Sequence, residues 1–462
     1  MGACCSTNKE YVAAEDLEPQ EWESDEEEEI VEEGDCGAKI RLKGSSSYVS
    51  VFSKQGKKGV NQDAMTVWED FTGEKGTQFC GVFDGHGPCG HDVARSVRDK
   101  LPYKLSSAMK LSQVKESNPD LDLDLSQKGE TGDESNESDK GQNGSSTKSP
   151  HEDSDNTSML LSLWEAGFIR AFDEMDKELN SNPAVDCFCS GTTAVSIVRS
   201  GKHLMIANLG DSRAVLCTRG QKNQLVPVQL TVDLKPNIPS EAERIRKCKG
   251  RVFAIDHEPE VQRIWMPEED CPGLAMSRAF GDFCLKNYGL VSFPDLSYRK
   301  IMPNDEFVVL ATDGIWDVLT NDEVIMVVSS VRNRSLAAKV LVARAVQAWK
   351  TKYPGCKVDD CAVVCLFFKD DETLDPTDLN VPKGQPKARD QYLQRPSKGK
   401  VDASSAVGKS DIDSNLEWNA LDGVTRVNSL LKLPRLSNLL HRKKAPKSQA
   451  DSDVPRSISV LQ

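Results

Sequence analysis

The chain has 462 residues, a formal charge of −14, 38% hydrophobic residues and 6% aromatics, enough for one large catalytic domain with unpacked extensions. The acidity is local. Residues 15–33 carry twelve acids and no base, and residues 112–158 carry twelve acids against four lysines, which leaves the rest net positive and argues against a general nucleic-acid-binding surface. The 14 cysteines come without a secretory segment, a membrane-spanning run or two paired CxxC motifs. A reduced intracellular compartment is expected, and a structural zinc site is not.

From the N-terminus, Met1-Gly2-Ala3-Cys4-Cys5-Ser6 fits a myristoylation pattern at Gly2, with Cys4 and Cys5 available for palmitate. A single acyl chain binds membranes only marginally, so the adjacent cysteines would decide stable anchoring. Plasma-membrane association by lipidation is therefore expected, with cytoplasm or nucleus otherwise. Residues 1–43 read as this anchor plus a solvated acidic spacer, and order is expected from about Tyr48. The folded domain spans 44–368. It is interrupted at about 110–158 by a Ser-, Asp-, Asn- and Gly-rich insertion too polar to fold. Residues 369–462 read as a disordered polar tail. Within it, leucines from Leu430 to Leu440 precede His441-Arg442-Lys443-Lys444, a segment suited either to docking at a membrane surface or to collapse onto its own domain.

Inside the domain, short apolar runs predict strands at 79–83, 192–198, 203–207, 214–217, 307–311 and 362–368. Helices are predicted at 90–105, 159–179, 240–249, 321–331 and 336–352. Ser240 and Glu243 have capping-box spacing, and Asn321 is read as an N-cap. Strands in adjacent pairs and helices in blocks favour an α+β domain with antiparallel sheets.

The run Val82-Phe83-Asp84-Gly85-His86-Gly87 ends an apolar stretch in a carboxylate and an imidazole. Asp63, Asp211, Asp282, Asp313 and the pair Asp359-Asp360 recur at strand edges or beside turn formers. Any one Asp-Gly is more often a turn than a ligand. Carboxylates gathered at several strand ends suit a hard cation such as Mg²⁺ or Mn²⁺, and no thiolate or multi-histidine set is offered for zinc. His86 beside Asp84 is a candidate for acid–base work.

Five motifs carry a closer likeness: Gly81-Val-Phe-Asp-Gly-His-Gly87, Ser190-Gly-Thr-Thr-Ala194, Ala207-Asn-Leu-Gly-Asp-Ser-Arg213, Leu274-Ala-Met-Ser-Arg-Ala-Phe-Gly-Asp282 and Ala311-Thr-Asp-Gly-Ile-Trp-Asp317. In this order the chain resembles a metal-dependent serine/threonine protein phosphatase of the protein phosphatase 2C family, plant members in particular. The resemblance runs from about 48 to 368 and covers neither tail. It implies two packed antiparallel β-sheets flanked by helices, an α-β-β-α sandwich. It also implies a phosphatase that hydrolyses phosphoserine and phosphothreonine in phosphoprotein substrates with water activated by two Mg²⁺ or Mn²⁺ ions. Asp84 would bridge the two metals, with the Gly85 carbonyl on one of them. Asp313 and Asp359 would complete the protein shell, and Asp63 would hold metal-bound water. His86 would be the general acid. Asp211, with Asp317, would belong to a third-metal site. Lys58 stands where the family often has a phosphate-gripping arginine, and lysine is a point charge in place of a planar fork. Gln62 replaces an acid often found before Asp63. Leu234, in Asp233-Leu234-Lys235-Pro236, stands where histidine is common, and that segment is assigned a structural role. A monomer is expected. The competing readings are a catalytically impaired membrane-anchored scaffold of the same fold and a metal-dependent nuclease, the latter disfavoured by the lack of a concentrated basic face.

Overall fold

The computed structural model describes residues 29–117, 152–256, 258–368 and 425–426, with only the backbone of 111–117, 152–160 and 425–426. In chain order, β1 (Ile30–Glu33), β2 (Lys39–Lys43), β3 (Val49–Lys54), β4 (Asp63–Glu69) and β5 (Thr77–His86) precede two long helices, α1 (Gly90–Ser117) and α2 (Glu152–Ser181). Next come β6 (Gly191–Thr192), β7 (Ala194–Ser200), β8 (His203–Leu209), β9 (Arg213–Arg219), β10 (Leu225–Gln229) and α3 (Pro239–Lys247). A small hairpin unit follows, with β11 (Arg251–Ala254), β12 (Gln262–Trp265) and β13 (Pro272–Leu274), then β14 (Phe280–Gly281), α4 (Phe283–Lys286), β15 (Asp295–Lys300) and β16 (Asp305–Ala311). The last elements are α5 (Asp313–Trp316), α6 (Asn321–Ser330), α7 (Ala337–Lys352), β17 (Cys361–Phe367) and a two-residue β18 (Thr425–Arg426).

These strands form a ten-stranded sheet ordered β1-β2-β4-β5-β7-β8-β15-β18, with β6 and β14 attached through β5, and a five-stranded sheet ordered β10-β9-β16-β17-β3. A third sheet, β11-β12-β13, stands apart. The two main sheets pack face to face. In β5, Cys80 and Val82 point into the core between them, while Phe79 and Phe83 pack with α1 and α2 on the other side. The two-residue period of a strand makes this division. In β16, Val308 and Leu310 face the same inter-sheet core, and Phe307, Val309 and Ala311 face α6 and α7. Both faces of the sheets are covered, so the strands read as unbroken apolar runs with little alternation. On α1, Val93, Val97, Leu101 and Leu105 are all buried, a stripe at four-residue spacing that lies on the sheet. The result is the expected α-β-β-α sandwich.

The structure corrects several boundaries. Residues 30–43 belong to the domain: β2 pairs with β4 and β1 with β2, and Ala38 and Ile40 are buried in the cluster that includes Trp68. The acidic composition of 15–33 hid the short Ile40-Arg41-Leu42 run behind it. Helix backbone also extends into both ends of the expected insertion, through Ser117 and from Glu152, while the rest of the insertion lies outside the described residues. Helix α3 starts at Pro239 with no side-chain cap. Ser240 sits inside its first turn, because the fixed φ of proline pre-organises that position. The capping box occurs instead at α6, where Thr320, not Asn321, is the N-cap and exchanges hydrogen bonds with Glu323. Of the C-terminal tail, Thr425–Arg426 is described and pairs with Ser297–Tyr298 of β15; the leucine-rich basic segment lies outside the described residues. Among the described residues no helix is long and apolar enough to cross a membrane.

Candidate active site

At one end of the sandwich the two sheets and the β11–β13 unit enclose a cleft of about 770 Å³ lined by Lys58, Asp84, His86, Asp211, Asp313 and Asp359, among others. Each acid arrives by a different route. Asp84 does not end its strand as the sequence suggested: β5 runs on to His86, with Asp84 opposite Asp63 of β4 and Gly85 and His86 opposite β6. The Asp84 N–H donates to Thr193 Oγ1 at 3.0 Å, and the Thr193 N–H donates back to the Asp84 carbonyl at 2.9 Å. These bonds fix the backbone so that Asp84 meets the cleft edge-on. Asp313 opens the single-turn helix α5 after β16. The next residue, Gly314, permits the join of β16 and β17, since a Cβ there would lie 1.9 Å from the Asp360 carbonyl oxygen.

The two adjacent acids of the 359–360 pair divide their work. Asp360 accepts from Gly56 N–H at 2.7 Å and Gln62 N–H at 2.9 Å, so it anchors the loop that carries Lys58. Both line the cleft, but it is Asp359 that pairs with Lys58 Nζ. Asp211, in the turn after β8, receives Lys235 Nζ on Oδ2 at 2.9 Å, while its Oδ1 is buried without a protein partner. The Asp233–Pro236 segment is thus only partly structural. Leu234 is buried and its carbonyl accepts from Ser277, but Lys235 reaches the site.

The carboxylates repel one another. Burial pushes the Asp63, Asp84 and Asp313 acids well above the ordinary carboxylate value, and their acidic neighbours add to it. Asp317 is raised by burial and by Asp211 and Asp359, with Lys235 opposing. Burial alone would lower the Lys58 and Lys235 ammonium groups and the His86 ring. The facing carboxylates outweigh it, and all three are raised: Lys58 chiefly by Asp359, Lys235 by Asp211 and His86 by Asp282. Buried carboxylates in contact are costly unless a cation neutralises them. This all-oxygen donor set fits a hard divalent ion. Among the described residues, no group of three or more His, Cys, Asp or Glu side chains is already arranged to hold a metal ion.

Of the site residues expected from the sequence, His86, Lys58, Asp84, Gly85, Asp313, Asp359 and Asp211 line this cleft, while Asp63 stands beside it, opposite Asp84 on β4. Sequence reasoning missed Thr312, whose hydroxyl holds Asp63, and Lys235. It noted Asp282 without seeing that Oδ2 lies 2.5 Å from His86 Nε2. Only the repetition of polar residues beside the motif aspartates pointed to them.

With this geometry in place, comparison with known proteins is informative. The family model described as Protein phosphatase 2C matches residues 127–352. Probable protein phosphatase 2C 73 of Oryza sativa subsp. japonica is 46% identical over 456 residues, covering 99% of this chain and 100% of the relative. Probable protein phosphatase 2C 65 of Arabidopsis thaliana is 50% identical over 368 residues, covering 80% and 88%. Among solved structures, the serine-threonine phosphatase 2C of Toxoplasma gondii superposes with a TM-score of 0.59 at 22% identity, covering 72% of this chain and 99% of that one, a likeness of fold. The family model begins after Asp84 and ends before Asp359, whereas the rice relative spans nearly the whole chain, cleft residues included. On that near full-length identity, this chain belongs to the protein phosphatase 2C family.

Proposed function

We propose that this chain is a protein serine/threonine phosphatase that hydrolyses phosphoserine and phosphothreonine monoesters with Mg²⁺ or Mn²⁺ as cofactor. The observation that carries the reading is the gathering of Asp84, Asp313 and Asp359 in one cleft with a lysine and a histidine, and of Asp63 beside them opposite Asp84, with the Asp63, Asp84 and Asp313 acids raised by burial and by their acidic neighbours. Asp84, Asp313 and Asp359, with the Gly85 carbonyl, would hold two ions; Asp211 and Asp317 would serve a third. Bound there, the ions supply acidification of a water and neutralisation of phosphoryl charge.

The chain's own residues account for the rest. Lys58 has a raised pKa and stays charged, so it can swing from Asp359 to draw in a phosphate dianion. Asp63, held by Thr312 and opposite Asp84, orients water beside that acid. His86 donates a proton to the departing serine or threonine oxygen, an alkoxide that leaves poorly on its own, for a gain of about 10²–10⁴-fold. No nucleophilic cysteine is required: the cleft-lining Cys189 hydrogen-bonds the Cys284 thiol, and Cys361 and Cys365 are buried with thiols pushed up by that burial.

Phosphate release from a phosphothreonine peptide, compared with Mn²⁺, with Mg²⁺ and with chelator, tests this reading. Release only with metal supports it. No release under any condition leaves the impaired scaffold as the better account. We also propose that Gly2, with Cys4 and Cys5, anchors the protein to the plasma membrane; these residues lie outside the described ones. Gly2→Ala should shift the protein to the soluble fraction, and unchanged fractionation overturns the anchor.

A further inference from the structure

The pair formed by His86 and Asp282 is built with more care than a surface ion pair requires. Asp282 is 1% exposed and meets the ring from a segment 196 residues away. The meeting point is the backbone of β6. A Cβ on Gly191 would lie 2.2 Å from Asp282 Oδ2 and 2.7 Å from His86 Nε2, so any side chain there would separate the two groups. Asp282 also holds a left-handed backbone, φ 50°, an arrangement that costs a non-glycine residue about 1–3 kcal/mol and tends to be kept where geometry matters.

The surroundings enforce that backbone. The Asp282 N–H donates to the Ser190 carbonyl at 2.9 Å. The Gly281 N–H donates to Asp176 Oδ1 at 3.0 Å, and Asp176 Oδ2 takes Lys286 Nζ at 2.8 Å. Asp176 lies on α2, so the helical layer reaches through this contact to the turn that carries Asp282. The other ring nitrogen is bare: His86 Nδ1 is buried and has no protein partner. A histidine with a purely structural role normally has both nitrogens satisfied when buried. A ring that lines the cleft, with one nitrogen clamped by a buried carboxylate and the other without a protein partner, is the arrangement of an oriented proton donor.

We propose that Asp282 is the positioning residue of His86: it clamps Nε2 and so fixes the ring at the cleft to serve the leaving oxygen, and Asp176 holds the turn that carries Asp282 in place from α2. The inference rests on the phosphatase reading above. In the step concerned, the water oxygen bonds to phosphorus and the P–O bond to the side chain breaks. The serine or threonine oxygen leaves with a proton from the His86 ring, and the proton released by the water restores the ring.

The test uses the leaving group. The full-length chain with Mn²⁺ is assayed on a phosphothreonine peptide, whose alkoxide needs a proton, and on p-nitrophenyl phosphate, whose phenolate departs without one. Asp282→Asn is expected to lower the ratio of peptide to p-nitrophenyl phosphate turnover by about 10-fold or more. Asp176→Asn is expected to shift it in the same direction by less. Thermal unfolding of each variant checks that the fold is kept. Equal loss on both substrates in a folded Asp282→Asn, or no loss, overturns the positioning role. If Asp282→Asn does not fold, Asp176→Asn decides: an unchanged ratio overturns the proposal and a lowered one supports it. Wild type inactive on both substrates with Mn²⁺ overturns the phosphatase reading itself, an outcome distinct from either.

Discussion

The Thr312 hydroxyl donates to Asp63 Oδ2 at 2.7 Å and accepts from the Ala362 N–H at 3.0 Å, so one buried side chain ties β17 to an acid of the cleft. Thr312→Val keeps the shape but strands a buried N–H and removes a donor from a carboxylate. It should cost about 1–3 kcal/mol of stability and lower turnover, while Thr312→Ser restores most of both. Urea unfolding and phosphopeptide assays on the two variants check this.

Glu241 on α3 is buried against Arg278 and Arg244. Burial alone would raise its acid, but the two guanidinium groups outweigh that and hold it at about 2, against an ordinary 4.5. A depressed folded pKa stabilises the fold above the unfolded value, and this contribution is lost as pH falls through 4.5 toward about 2. Glu241→Gln should therefore cost about 3–5 kcal/mol at neutral pH by leaving buried arginines unpaired. It should also flatten the loss of stability in that acid window, as read by chemical unfolding at a series of pH values.

Asp84 tests the cation site without an activity assay. Its acid is raised, so in metal-free protein its contribution favours the folded state at low pH and is lost as pH rises above the ordinary 3.8 toward the raised value. In chelator at neutral pH, Asp84→Asn should therefore raise the unfolding midpoint. Mn²⁺ at a hundredfold excess over Kd should stabilise wild type by about 2.7 kcal/mol and the variant far less. A variant that responds to Mn²⁺ like wild type removes Asp84 from the site.

Lys58 is half exposed on its loop and pairs with Asp359. Lys58→Ala should raise KM for a phosphopeptide about tenfold, the lower end for a charged hydrogen bond, with a smaller change in kcat. Lys58→Arg should lower KM below wild type by supplying a planar fork. Steady-state kinetics on the three proteins distinguishes a phosphate grip from a purely structural pairing with Asp359.

The two N-terminal strands give a stability prediction. Removing residues 1–28 should leave the unfolding free energy unchanged. Removing 1–43 also takes away Ala38, Ile40 and the Arg41–Glu69 ion pair, and should cost at least about 2 kcal/mol from Ile40 burial alone. Matched denaturation curves of the two truncations decide it.

An α+β domain with antiparallel sheets and most of the cleft's acids were legible in local patterns, and the family resemblance supplied the sandwich. Strand runs such as Phe307–Ala311 are apolar throughout because both sheet faces are packed, and the acids of the site sit beside glycines and turns that local chemistry makes visible. Short-range rules failed where two signals competed. Pro239 displaced the Ser240 cap, Thr320 took the cap from Asn321, and an acidic flank concealed β2. Which polar groups meet is a matter of the folded chain alone. Asp359 faces Lys58 while its neighbour Asp360 holds backbone, Lys235 reaches Asp211, and Asp282 clamps His86 across 196 residues of chain. A side chain's partner across such a separation depends on sheet register and on close backbone approaches such as that at Gly191, and neither is encoded within any one segment.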